Sequence, residues 1–302
     1  MGYFLSSLEI YLKIWKHRVY FAHLWYNRSM NKEEFFIKQF SNNKIIGDDG
    51  AFIDGFVYSM DAFFENVHFK KEWMSLKQIA YKSMIVNISD AIVMNAVPLY
   101  ALLSVAIPKT YTNEDLEELA KGFKKAANEF GIEIIGGDTI SNEKLDISIT
   151  IISKTKNPIY RNGVKKGDLL CYTGTLGLCK KDLENLFLNK PISINSKFIK
   201  PKLKAKFFYE IAPLINASMD ISDGLFFELE KLSIASNVGF KFFYEIDENI
   251  GTSGEEYEIL FSFDEKNLDK IKKIALKHKV KLNLFAKAVK GKYKTDAKNH
   301  HF

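Results

Sequence analysis

The chain has 302 residues and, with 43 Lys and Arg against 37 Asp and Glu, a formal charge of +6. Hydrophobic residues at 47% and charged residues at 26% are ordinary globular usage, which excludes a disordered, collagen-like or disulfide-scaffold protein and suits two domains. Two cysteines, Cys171 and Cys179, fit neither a zinc-knuckle pair nor a redox C-x-x-C, so a reducing, cytoplasmic setting is expected. No run of about 18 apolar residues occurs, and no membrane partner is expected.

Residues 1–29 differ from the rest in being crowded with aromatic side chains, among them Tyr3, Trp15, Trp25 and Tyr26, and read as an N-terminal extension. Leu5, Leu8, Leu12, Trp15 and Val19 recur at helical spacing, while Glu9, Lys13 and Lys16 interrupt any signal-peptide core. Met30 opens a fresh helix start and is an alternative initiator.

From Ile45 onward short β-type runs alternate with amphipathic helical ones, an α+β rhythm. Strands are expected at Phe56 to Met60, Tyr100 to Ile107, Ile132 to Ile135 and Leu145 to Ile152. Helices are expected from Leu76 to Val93 and from Asn113, as N-cap, to Phe130. The polar stretch ending at Pro158 marks a boundary, giving domains of about 30–155 and 156–302. The second domain offers strands at Leu169 to Tyr172, Asn216 to Met219, Phe240 to Tyr244 and Tyr257 to Phe263. Its helices are placed at Lys197 to Ile211, Leu225 to Ser236 and Asp264 to Lys279.

Aspartates recur at the ends of apolar runs beside Gly, Ser or Asn. The places are Gly47-Asp48-Asp49-Gly50, Ser59-Met60-Asp61, Asn87-Ile88-Ser89-Asp90, Gly136-Gly137-Asp138-Thr139, Gly167-Asp168 and Asp220-Ile221-Ser222-Asp223-Gly224. A lone Asp beside Gly is an ordinary turn, and Gly167-Asp168 is left as one. Several carboxylates on rigid frames suit a hard divalent cation, and Mg²⁺ shared with phosphate oxygens points to a nucleotide polyphosphate. The chain lacks a P-loop, a G-x-G-x-x-G fingerprint, H-E-x-x-H and G-x-S-x-G.

In this order the strings resemble the thiamine-monophosphate kinase family of the PurM-like (aminoimidazole ribonucleotide synthetase-like) superfamily. They run on through His68-Phe69, Tyr81-Lys82, Arg161-Asn162-Gly163 and Gly254-Glu255-Glu256-Tyr257-Glu258. The resemblance implies a two-domain PurM-like architecture whose N-terminal domain dimerises through its sheet. It also implies in-line phosphoryl transfer from ATP to thiamine monophosphate, giving thiamine diphosphate. Carried over by position, it implies a Mg²⁺ shell of Asp48, Ser59, Met60 (through its carbonyl), Asp61, Asp90, Asp138, Asp220 and Asp223. Gly137, Asp138, Arg161 and Ser222 then face ATP, while His68, Glu255 and His300 face thiamine monophosphate. Arg161, Asp90 and Asp220 carry catalysis, several Mg²⁺ are expected per site, and K⁺ is left open. Lys82 is read either as an added positive charge or as a surface lysine.

This chain departs from the family pattern at Ser253 and Glu256, in a short connection from Tyr244 to Thr252, and at Ala297 and His300, where an aromatic residue is usual. Two alternatives stand beside the kinase: another PurM-like ATP-dependent enzyme, and a non-catalytic binder of thiamine phosphates. A nucleic-acid partner is not expected, since no basic motif carries an aromatic platform.

Overall fold

A computed structural model of the chain describes residues 32–40 and 45–297, so the expectations for residues 1–29 and for His300 fall outside the described residues. Helix α1 (Lys32–Lys38) belongs to one compact unit and exposes Phe35 and Phe36; the Phe36 ring meets Phe40 edge-on at 5.3 Å. Everything described from Gly47 onward belongs to a second unit, an α+β arrangement of two five-stranded sheets.

The first sheet contains β1 (Ala51–Ile53), β2 (Phe56–Phe64), β3 (Val97–Pro108), β4 (Glu133–Asn142) and β5 (Asp146–Lys154), in the order β1-β2-β5-β3-β4. Only β3 and β4 run parallel. Alternation along β2 sends Val57, Ser59 and Phe63 to the covered face and Tyr58 and Met60 to the open one.

Helix α2 (Leu76–Val93) lies on the covered face and is buried nearly all round, as a central helix must be. Ser75 starts it with a capping box: its Oγ accepts from Gln78 N at 3.3 Å, and Gln78 Oε1 accepts from Ser75 N at 2.8 Å. The helix packs on β2, β3 and β5, on α3 (Asn113–Phe130) and on the strand Ala217–Ile221 of the second sheet. Its approach to α3 needs Gly122, where an added Cβ would lie 2.3 Å from the Lys77 carbonyl oxygen.

The second sheet contains β6 (Leu169–Thr173), β7 (Ala217–Ile221), β8 (Gly239–Phe242), β9 (Glu258–Phe263) and β10 (Leu282–Val289). Its order is β7-β9-β6-β10-β8, antiparallel throughout. Around it lie α4 (Leu178–Phe187), α5 (Ala205–Ile211), α6 (Leu225–Ser236), α7 (Glu248–Gly251) and α8 (Leu268–His278). One hydrophobic cluster runs from Ile85 and Ile149 to Phe207 and Phe261, so the two sheets share a core across α2.

Both long helices of the first half have the expected bounds, but the N-cap of α3 is Thr112, whose Oγ1 accepts from Asp115 N at 3.3 Å. The helix expected from Lys197 shrinks to α5, because Pro201 removes a backbone donor and its ring blocks the preceding turn. The helix expected from Asp264 begins at Leu268, after a 3₁₀ turn in which the Asp264 carboxylate accepts from Lys266 N at 3.1 Å. Strands β1 and β10 and helix α4 carry no sequence-based assignment.

Candidate functional site

The site forms where the last turns of α2 meet β2, the loop before β1 and the end of β7. Asp90 on α2, Asp220 on β7 and Asp49 in the loop each bring a carboxylate oxygen within 4.8 Å of the other two. Asp61, on the inner side of β2, lies beside Asp90, and each acts on the ionisation of the other. Asn87 holds it there by accepting from Asp61 N at 2.7 Å through its own Oδ1. Ser59 Oγ donates to the Asn87 carbonyl at 3.4 Å, and Ser89 Oγ donates to Asp220 Oδ2 at 2.7 Å. A helix end and two strands therefore hold Asp90, Asp61 and Asp220, which fixes these three more rigidly than loops would.

Burial, and then the charge of their neighbours, raises the carboxyl pKa values of Asp61, Asp90 and Asp220. Asp61 is pushed up to about 6, first by burial and then by Asp49, Glu255 and Asp223. Asp90 is held well above the ordinary value by burial and then by Asp61 and Asp220. Asp220 is held there by burial and then by Asp49 and Glu228. Asp49, Asp90 and Asp220, with Asp61 beside them, gather hard carboxylate oxygens at one point, where the Arg161 guanidinium pairs with Asp49. That donor set fits Mg²⁺.

Arg161 grips Asp49 with two groups, Nη2 to Oδ1 at 2.5 Å and Nε to Oδ2 at 3.3 Å. Asp48 does not join the three-acid group; its Oδ1 accepts the Arg161 backbone N–H at 2.6 Å. Burial raises its pKa, and that hydrogen bond partly offsets the rise. Behind Arg161 sits Glu228, wholly buried. Glu228 Oε1 accepts from Asp223 N at 3.0 Å and from Ser222 Oγ at 3.4 Å, fixing the turn after β7. Lys231 Nζ lies 2.7 Å from Asp223 and 3.0 Å from Glu228.

His68 is half-buried: its Nδ1 accepts from Phe64 N at 3.0 Å and its ring stacks on Phe63 at 5.5 Å. Glu255 N donates to the Ser222 carbonyl at 2.7 Å, which places Glu255 beside the carboxylate group. Lys82 is not a surface lysine. It is fully buried, 2.8 Å from Glu255.

The remaining expectations lie elsewhere. Met60 points to the open face of β2, 64% exposed, so its thioether is turned from the acids. Gly137 and Asp138 lie on the exposed edge strand β4, where the Asp138 carboxylate accepts Thr139 N at 2.9 Å and stands outside the three-acid group. Gly137 has φ +146° and a Cβ there would fall 1.7 Å from the Leu103 carbonyl oxygen, so no other residue keeps this register.

Sequence reasoning missed Asp49, Asn87, Ser89 and Glu228. Asp49 stands in the same Gly-Asp-Asp-Gly string as Asp48, and adjacency alone does not say which of two acids turns inward. Asn87 and Ser89 stand in the string that flagged Asp90 and carry the polar signal of a buried helix face. Glu228 three residues into a helix looks like a simple first-turn acid.

No helix among the described residues is long and apolar enough to cross a membrane. Residues 47–155 match the family described as AIR synthase related protein, N-terminal domain. The chain is 31% identical over 240 residues to the thiamine-monophosphate kinase of Leptospira interrogans serogroup Icterohaemorrhagiae serovar Lai, covering 72% of this chain and 78% of that protein. It is 32% identical over 287 residues to the thiamine-monophosphate kinase of Buchnera aphidicola subsp. Schizaphis graminum, covering 83% and 88%. In fold it is similar to the solved structure of AaThiL complexed with AMPPCP and TMP, with a TM-score of 0.78 at 24% identity, covering 87% of this chain and 94% of that chain. With this fold, and at this identity over most of their length, the chain belongs to the thiamine-monophosphate kinase family of phosphotransferases.

Proposed function

We propose that this protein transfers the γ-phosphoryl group of ATP directly to the phosphate of thiamine monophosphate, forming thiamine diphosphate and ADP. The observation that carries the reading is the convergence of Asp49, Asp90 and Asp220 beside Asp61, backed by the Arg161 fork. Asp49, Asp61, Asp90 and Asp220 would hold Mg²⁺, with Ser59, Asp138, Asp223 and the Met60 carbonyl as further oxygen donors and Asp48 fixing the Arg161 backbone, and the bound ions would neutralise phosphate charge.

The chain's own residues then bind and orient. Arg161 has N–H groups beyond the two on Asp49 that would meet the transferring phosphoryl group, and Ser222 and Gly137 would also serve the nucleotide. His68, Glu255 and His300 face the acceptor. An acceptor phosphate oxygen is already anionic at neutral pH, so the site needs no general base and works by positioning and charge neutralisation.

The protein works as a homodimer in this reading, with nucleotide bound between subunits. Support comes from the open face of the first sheet, which exposes Tyr58, Met60, Tyr100, Leu102, Ile135 and Ile140. The division at about residue 155 and a cytoplasmic location belong to the same proposal; both cysteines are free and buried, as a reducing compartment allows. K⁺ is tested as an additional activator.

The experiment is incubation of purified protein with ATP, Mg²⁺ and thiamine monophosphate, followed by chromatography. Equal formation of ADP and thiamine diphosphate supports the kinase. ATP hydrolysis without thiamine diphosphate points to another PurM-like substrate, and binding without turnover points to a non-catalytic relative.

A further inference from the structure

Lys82 is fully buried in the middle of α2, yet it carries an amino group. A buried ammonium is costly unless it is paired, and such a group is retained where its partner needs it. Its partners are few and specific. Nζ lies 2.8 Å from Glu255 Oε2 and 3.8 Å from the centre of the Phe198 ring.

Glu255 is itself held from several sides. Its φ of +59° and the +48° of Tyr257 put two non-glycine residues in the left-handed region, a strain that persists only where the surroundings fix it. Tyr257 OH donates to Glu255 Oε1 at 3.1 Å, Cys179 Sγ donates to the Glu255 carbonyl at 3.1 Å, and Glu255 N donates to Ser222 O at 2.7 Å. Lys82 therefore takes one carboxylate oxygen and Tyr257 the other. The same helix carries Asp90 eight residues on, so one rigid element spans the metal-binding acids and this carboxylate.

We propose that Lys82 is a positioning residue for the acceptor: through its buried pair with Glu255 it aims that carboxylate at the cationic thiamine part of thiamine monophosphate. The inference rests on the kinase reading above and goes beyond it by assigning Lys82 a place in acceptor recognition. Lys82 acts through Glu255 and holds no reacting atom.

The test is steady-state kinetics of wild type, Lys82→Met, Lys82→Arg, Glu255→Gln and the Lys82→Met/Glu255→Gln double variant, varying ATP and thiamine monophosphate separately. Lys82→Met is expected to raise KM for thiamine monophosphate about tenfold or more while KM for ATP stays within about twofold. The double variant is expected to be no worse than Glu255→Gln alone, because the two side chains act as one unit. Lys82→Arg, which keeps the charge, is expected to be intermediate. If Lys82→Met does not fold, the Lys82→Arg and Glu255→Gln pair decides, and an unmoved acceptor KM in Lys82→Arg overturns the proposal. An active wild type with an unmoved acceptor KM in Lys82→Met, or with independent losses in the double variant, overturns the role of Lys82 alone. A wild type that makes no thiamine diphosphate overturns the kinase reading, and the acceptor assignment with it.

Discussion

Asp48 and Asp49 are neighbours in sequence and hold opposite ends of Arg161: Asp48 accepts the backbone N–H at 2.6 Å, and Asp49 binds the guanidinium at 2.5 Å. Only Asp49 also reaches Asp90 and Asp220. Asp49→Asn should therefore lower kcat by at least about a thousandfold and raise the Mg²⁺ concentration needed for half-maximal rate, as loss of a metal-holding carboxylate does. Asp48→Asn should cost about 1–3 kcal/mol of stability through the buried loop contact and leave much more activity. A Mg²⁺ titration of both variants checks the order; equal losses would place both acids on the metal.

The pH dependence follows from the same crowding. Asp61, Asp90 and Asp220 have folded pKa values above their ordinary ones, about 6 for Asp61, so the folded state binds more protons than the unfolded state between about pH 4 and 6. Stability of chelator-treated protein should fall as pH rises through that window, and Mg²⁺ should restore it by favouring the charged forms. Thermal melts at pH 5.5 and 7.5 with and without Mg²⁺ test this; a metal-free melting point that rises with pH would contradict it.

Asp90→Asn separates function from stability. The substitution should abolish turnover, yet in the metal-free protein at pH 7.5 it removes one member of a like-charged buried group and should raise the melting point by a few degrees. Near-normal activity in this variant would sink the metal assignment.

Glu256 is a structural acid. Its Oε1 accepts from Gly177 N at 2.7 Å and Cys179 N at 3.2 Å, and Ser253 Oγ donates to it at 2.6 Å. Glu256→Ala should destabilise the protein by about 3 kcal/mol, since it strips a helix start of its cap and leaves Lys197 with one carboxylate fewer. Chemical denaturation with an unchanged midpoint would show that water replaces the carboxylate.

Deletion of residues 1–29 should leave kcat within about twofold, because the family match begins at residue 47 and the acids gathered at the site all follow it. A large loss would place the leader in the site or in the dimer.

What the sequence by itself determined is the local grammar. Periodicity placed α2, α3 and α6, and the recurrence of acids after apolar runs pointed to a metal-dependent nucleotide enzyme. Both signals act over a few residues, so both are visible in one string. The tertiary structure decided what depends on distant partners. Helix α4 starts at Gly177 with no capping side chain of its own, because its cap, Glu256, comes from 79 residues away. Ser253 and Glu256, three residues apart, touch each other there through a hydrogen bond that a single residue type does not reveal. Lys82 looked like a solvated lysine on a helix until the fold closed every face of α2, and Asp49 differed from Asp48 only in which way the loop turned it. Burial and long-range pairing are properties of the assembled core, and a linear string does not contain them.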